Sequence, residues 1–328
     1  MYEAFYGLNE KPFSVPPDSA YLYLSAKHKN ALSRLQYSII NHAAFTVVTG
    51  EIGSGKTTLI RELIHQLDEN DEFTVGLVSN VNFSSFAELM QWILYAFELE
   101  YDGKNKVSLF EAFTDYVIQN YGEGRRTVLI IDEAQNLSPD VLEQLRMLSN
   151  INAGQHQVLQ LILVGQSNLL DTLKRPELEQ FAQRIEVDFY LKPLDLDETA
   201  KYIQHRIKVA GGDGDLFSTD TYPLIWRSTS GVPRLINVLC GMALVYAFAD
   251  FKDRVDIDVI NLVLKDKEGG FSPLDANNTA LEMNPRLRGV ASNSLYSVSA
   301  GDKHDENVDS QSAKELSTIE KLFLNNKE

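Results

Sequence analysis

Five short apolar runs limit how this chain can fold: FTVVTG (45–50), TVGLVSN (74–80), TVLIID (127–132), VLQLILVG (158–165) and IEVDFYL (185–191). The spacing predicts helices between them, at about Lys56 to Leu67, 84–99, 107–121 and Pro139 to Leu148. Continuous apolar strands separated by helices fit a parallel sheet covered on both faces, because only such a sheet buries both sides of every strand. The predicted class is therefore α/β over residues 42–191. A helix over 26–41 precedes it, with Ala31, Leu32, Leu35 and Ile39 at helical spacing.

Beyond the last strand the pattern changes. Residues 192–267 carry helical patterns only, interrupted by a loop of Gly and Asp at 211–215. They read as a small all-helical domain that follows the sheet. Residues 1–25 are rich in aromatics and prolines. That composition is too apolar for a free tail, so the N-terminal segment 1–41 is expected to pack on the core. Residues 268–328 are polar, rich in Ser and Asn and without periodicity, which predicts a mostly disordered tail. Within it, 313–325 reads either as a short amphipathic helix or as a frayed terminus.

A net charge of −16 argues against a main surface that grips nucleic acid or anionic lipid, since both partners are anionic. Cys240 is the single cysteine, so no internal disulfide forms within the chain, and a reducing compartment is the natural setting. In an apolar helix it reads as a small core residue. The six histidines show no metal-ligand spacing, and no structural zinc is expected. The start MYEAFYGLNEKPF lacks the basic end and apolar run of a signal peptide. The run VLCGMALVYAFA (238–249) is shorter than the roughly 20 residues a bilayer span needs. A soluble, cytoplasmic chain is expected, reaching the inner membrane only through a partner.

Between the first strand and its helix stands GEIGSGKTT (50–58), the spacing Gly-x4-Gly-Lys-Thr. Glycines at 50, 53 and 55 let the backbone fold closely around phosphate oxygens with its N–H groups turned inward. Lys56 has the reach for β- and γ-phosphates, and the Thr57 hydroxyl suits Mg²⁺. The helix that starts there points its positive end at the anion. The whole stretch Gly50, Glu51, Ile52, Gly53, Ser54, Gly55, Lys56, Thr57 and Thr58 is therefore assigned to nucleotide, with ATP and Mg²⁺ as the expected ligands. Such a site needs an acidic strand end beside it. LIIDEAQNLSP (129–139) supplies two acids, which alone read as a cap, a metal site or half of a hydrolytic centre. Ser138 followed by Pro139 takes over the capping role for the next helix. Asp132 is then the metal-side carboxylate, and Glu133 the general base facing the attacking water.

Around these motifs, the order of elements resembles the AAA+ ATPases. The resemblance implies a polar sensor at Gln166, which ends LILVGQ. It implies an arginine finger at Arg184 in RPELEQFAQRIEV, with Arg175 and Arg146 as rivals. It places a second sensor arginine at Arg234 in GVPRLIN. The phrases MYEAFYGLNEKPF, VVTGEIGSGKTTLIREL, LIIDEAQNLSPDVLEQLRMLSNI and SGVPRLINVLC are similar to general secretion pathway A-type ATPases, nearest the subgroup found beside exosortase and exopolysaccharide genes. What this implies is an ATP-dependent homo-oligomer serving an envelope secretion or polysaccharide-export partner at the membrane. The core also resembles transposition-regulator ATPases, which bind DNA, and GEGRR and NPRLRG keep that alternative open. Tyr21 and His28 read as packed residues of the N-terminal segment rather than as a border for adenine.

Overall fold

The computed structural model describes residues 1–14, 19–79, 83, 85–154 and 156–267. The predicted disordered tail and its helix at 313–325 lie outside these residues. The chain divides into two compact units: Ala26–Lys192 forms one, and Met1–Ser25 belongs with the part that starts at Pro193 in the other.

In the first unit, α1 (Ala26–Ile40) leads into β1 (Phe45–Gly50) and α2 (Lys56–Asp68). Then come β2 (Phe73–Val78), α3 (Phe86–Ala96), α4 (Lys106–Gly122), β3 (Arg126–Ile131) and α5 (Pro139–Leu148). A two-residue hairpin follows, β4 (Asn152–Ala153) and β5 (His156–Gln157), before β6 (Leu159–Gly165). Two short helices, α6 (Asn168–Leu173) and α7 (Glu179–Ala182), lead to β7 (Ile185–Leu191). The hairpin and the short helices carry too few residues to show a period, so the sequence pattern gave no sign of them.

The main sheet is parallel throughout, in the order β2-β3-β6-β1-β7. Its central strands β1 and β6 are buried at every position. Each such Val, Leu or Ile contributes roughly 1.5–3 kcal/mol through burial. The edge strand β7 alternates instead, with Glu186 and Asp188 exposed. Charges on an edge discourage pairing with another chain. Gln160 in β6 is buried, and its Nε2 donates to the carbonyls of Ser38, Ile39 and Ala43 at 3.2, 3.2 and 3.4 Å. These bonds fasten the end of α1 to the sheet.

The second unit holds α8 (Leu196–Val209), α9 (Thr221–Thr229), α10 (Pro233–Ala249) and α11 (Ile257–Lys267). Tyr2, Leu8, Phe13 and Tyr21 share its apolar core with Ile203, Phe217, Leu239 and the buried Cys240. The N-terminal segment thus divides at Ser25: its first part packs on the helices and its helix on the sheet. Arg206 explains the attachment. Its guanidinium donates to the carbonyls of Pro12 and Ser14 and lies over the ring of Tyr21 at 4.6 Å. Tyr202 and Asn237 extend the network, Tyr202 OH donating to Asn237 Oδ1 at 2.8 Å and Asn237 Nδ2 to Ser14 O at 3.3 Å. At Gly231 (φ 70°) a Cβ would meet Leu194 O at 1.9 Å, so only glycine fits between α9 and α10. Among the described residues, no helix is long and apolar enough to cross a membrane.

Candidate nucleotide site

Parallel strands deliver their carboxyl ends to one edge of a sheet, where open α/β folds bind ligands. Here β3, β6 and β1 are adjacent. The loop after β1, the two acids after β3 and Gln166 after β6 therefore gather at that edge.

The loop's shape follows from its glycines. Gly53 and Gly55 take φ of 80° and 100°, values that side chains strain to adopt. A Cβ on Gly50 would approach Leu191 O at 2.8 Å, and one on Gly55 would approach His28 Nε2 at 2.9 Å. His28 comes from α1, is buried, and places Nε2 3.2 Å from Ser54 O. It packs beneath the loop, in keeping with the packed role expected for it. Glu51 and Ile52 are exposed, and Tyr190 at the end of β7 donates its hydroxyl to Glu51 Oε1 at 2.6 Å. Burial and this carboxylate raise the Tyr190 phenol above its ordinary range.

Lys56 is buried, and its ammonium donates to Gly50 O and Glu51 O, each at 2.8 Å. Burial lowers its pKa, while the carboxylates of Glu133, Asp132 and Glu51 act in the opposite sense. Thr57 Oγ1 donates to Asp132 Oδ2 at 2.8 Å. The other carboxylate oxygen, Oδ1, accepts the Glu133 N–H at 2.9 Å. Asp132 is buried at the strand end and Glu133 is half-buried. Ser138 caps α5, accepting from Val141 N at 3.3 Å, so neither acid is used as its cap.

This donor set fits a phosphate chain with a divalent cation. Helix α2 begins without a side-chain cap, so its first N–H groups are available to an anion. Ser54 Oγ is buried without a hydrogen-bond partner. Thr57 and Asp132 offer the hard oxygens that Mg²⁺ prefers.

Residues 39–173 match the AAA domain family. Over 250 residues the chain is 39% identical to general secretion pathway protein A of Aeromonas hydrophila, a match covering 76% of this chain and 45% of that protein. The chain carries an AAA domain. It resembles that secretion protein, of which it spans less than half the length. The same fold occurs in Cdc6p from Pyrobaculum aerophilum (TM-score 0.61, 17% identity, 78% of this chain and 72% of that one). It occurs also in the ADP form of the Aeropyrum pernix ORC2 protein (TM-score 0.59, 19% identity, 77% and 71%). At these identities the likeness concerns the fold alone.

The other candidate residues are placed less centrally. Gln166 directly follows β6 and is half-buried. Arg184 precedes β7, and its Nη1 donates to Ser149 Oγ at 2.8 Å within the same chain. Its rivals are engaged as well: Arg146 pairs with Glu143 at 2.6 Å and Arg175 with Glu177 at 3.7 Å. Arg234 is exposed in the first turn of α10, in the other unit. Tyr21 is buried beneath Arg206.

One residue of the edge escaped the sequence reading. Gln135 donates through Nε2 to Glu133 Oε2, and its Oε1 accepts the Gln166 N–H at 3.0 Å. Its only signal in the sequence is an amide two positions after the second acid, within a short 3-10 turn (Ala134–Asn136).

Proposed function

We propose that this chain binds and hydrolyses Mg²⁺-ATP at the edge formed by 50–58, Asp132, Glu133 and Gln166. The observation that carries this reading is the convergence of Lys56, the Thr57–Asp132 pair and Glu133. The backbone N–H groups of the loop cradle the phosphates, and Lys56 exchanges its loop carbonyls for phosphate oxygens. Thr57 and Asp132 hold the Mg²⁺, which neutralises charge on the phosphates. Glu133 accepts the proton of the attacking water, and the γ-phosphoryl passes to that water, leaving ADP and phosphate. Gln166 contacts the γ-phosphate or the water. Arg184 acts on the site of a neighbouring subunit, so the working form is a homo-oligomer.

The likeness to general secretion pathway protein A supports an output in envelope secretion or polysaccharide export, through a partner at the inner membrane.

Glu133→Gln tests the chemistry. It removes the base and keeps the shape, so ATP should bind with unchanged affinity while phosphate release stops. Hydrolysis at the parental rate would overturn the assignment of the base.

A further inference from the structure

We propose that Gln135 is the positioning residue for Glu133 and couples it to the end of β6; this rests on the ATPase reading above. Glu133 adopts φ 57°, ψ 32°, a left-handed conformation that is strained for a non-glycine residue. A strained backbone of this kind persists where its surroundings fix it. The surroundings here are specific. The Glu133 N–H is held by Asp132 Oδ1, and its carboxylate by Gln135 Nε2.

The same carboxamide is held at its other end, where Oε1 accepts the Gln166 N–H. A carboxamide carries donors on one side and an acceptor on the other. Flipping it would set its oxygen against a carboxylate and its NH₂ against an N–H, so these partners admit one orientation. Gly165 makes the arrangement fit, since a Cβ there would stand 2.9 Å from Gln135 Oε1. One rigid group thus spans from the base to the strand end that carries Gln166.

Two consequences follow for hydrolysis. Glu133 Oε2 is occupied by a donor, which leaves Oε1 to take the proton from water in a fixed direction. When the Gln166 side chain engages the terminal phosphate, any shift of its backbone reaches Glu133 through Gln135. The base is then aligned by the presence of a γ-phosphate.

The test uses the full chain carrying Gln135→Met, which keeps length and removes both polar ends, and Gln135→Glu, which keeps shape and removes the donor. Both variants should bind ATP with a Kd within about twofold of the parent and lose about tenfold or more in kcat, with KM little changed. Gln166→Ala should cost much less in the Gln135→Met background than alone, because the coupling it uses is already cut. A kcat for Gln135→Met within about twofold of the parent, or penalties that add independently, overturns the proposal. An unaffected Gln135→Met beside an inactive Glu133→Gln removes this proposal alone. A parent chain without ATP hydrolysis removes the ATPase reading and this proposal together.

Discussion

Thr57 Oγ1 and Asp132 Oδ2 lie 2.8 Å apart, joined by a hydrogen bond across 75 residues of sequence. The pairing follows from topology. Thr57 opens the helix after β1 and Asp132 closes β3; β6 alone separates those strands, and all three end at the same edge. A hydroxyl and a carboxylate brought together this way form half of a hard-cation site.

This pair sets the first prediction. Chelating divalent cations should weaken ATP binding by the parent chain about tenfold or more, equivalent to ~1.4 kcal/mol. Asp132→Asn keeps the shape and removes the charge, so its ATP affinity should respond to chelation by under about threefold. Titration of a fluorescent ATP analogue with and without chelator reads both. An equal response in both chains would take the metal away from Asp132.

Gly55 offers a test of the cradle. Its φ of 100° and the 2.9 Å approach of His28 Nε2 to its absent Cβ are separate obstacles to a side chain. Gly55→Ala should destabilise the chain by about 1–3 kcal/mol and weaken nucleotide binding. Adding His28→Ala removes the clash and leaves the backbone strain, so the pair should recover only part of the loss. Urea midpoints measure it. An unchanged midpoint in Gly55→Ala would mean the loop does not hold this conformation.

The sequence made the five strands and the phosphate loop legible because each is a local pattern: a run of apolar residues or glycines at fixed spacing. The place of the acids beside the loop was legible from the strand that ends before them, and Ser138 does cap α5 as its position implied. What stayed hidden depends on partners far along the chain. Arg206 reads as one more charge on an amphipathic helix, yet its acceptors lie on residues 12 and 14. That is why the N-terminal segment looked like one piece. Gln160 is likewise a lone polar residue in an apolar run, and the carbonyls through which it ties α1 to the sheet lie far away, on residues 38 and 39. Gln135 was missed because nothing in the local pattern announces an amide with both ends engaged.

The helical unit should weaken in mild acid through His205. Burial is the main cause that holds this imidazole below its ordinary value of 6.5, and the Arg206 guanidinium acts in the same sense. A hydrogen bond with the Leu22 backbone pulls the other way without reversing the shift. Its Nε2 is buried without a hydrogen-bond partner, and the ring centroid lies 5.5 Å from that of Tyr23, so a proton there gains no acceptor. The sign follows. Above the ordinary value both folded and unfolded chains carry neutral His205, and its contribution to stability is complete. Below it the unfolded chain takes up a proton that the folded chain resists, so stability falls with pH until the folded value is passed. His42 in the sheet unit is lowered too, by burial first and Arg126 second, and acts in the same direction. His205→Phe cannot take up this proton. Between about pH 7.5 and 5.5 the unfolding free energy of the parent should fall more than that of His205→Phe, the difference being the share of this one imidazole. Equal losses in urea titrations of the two chains would show that His205 titrates alike in both states.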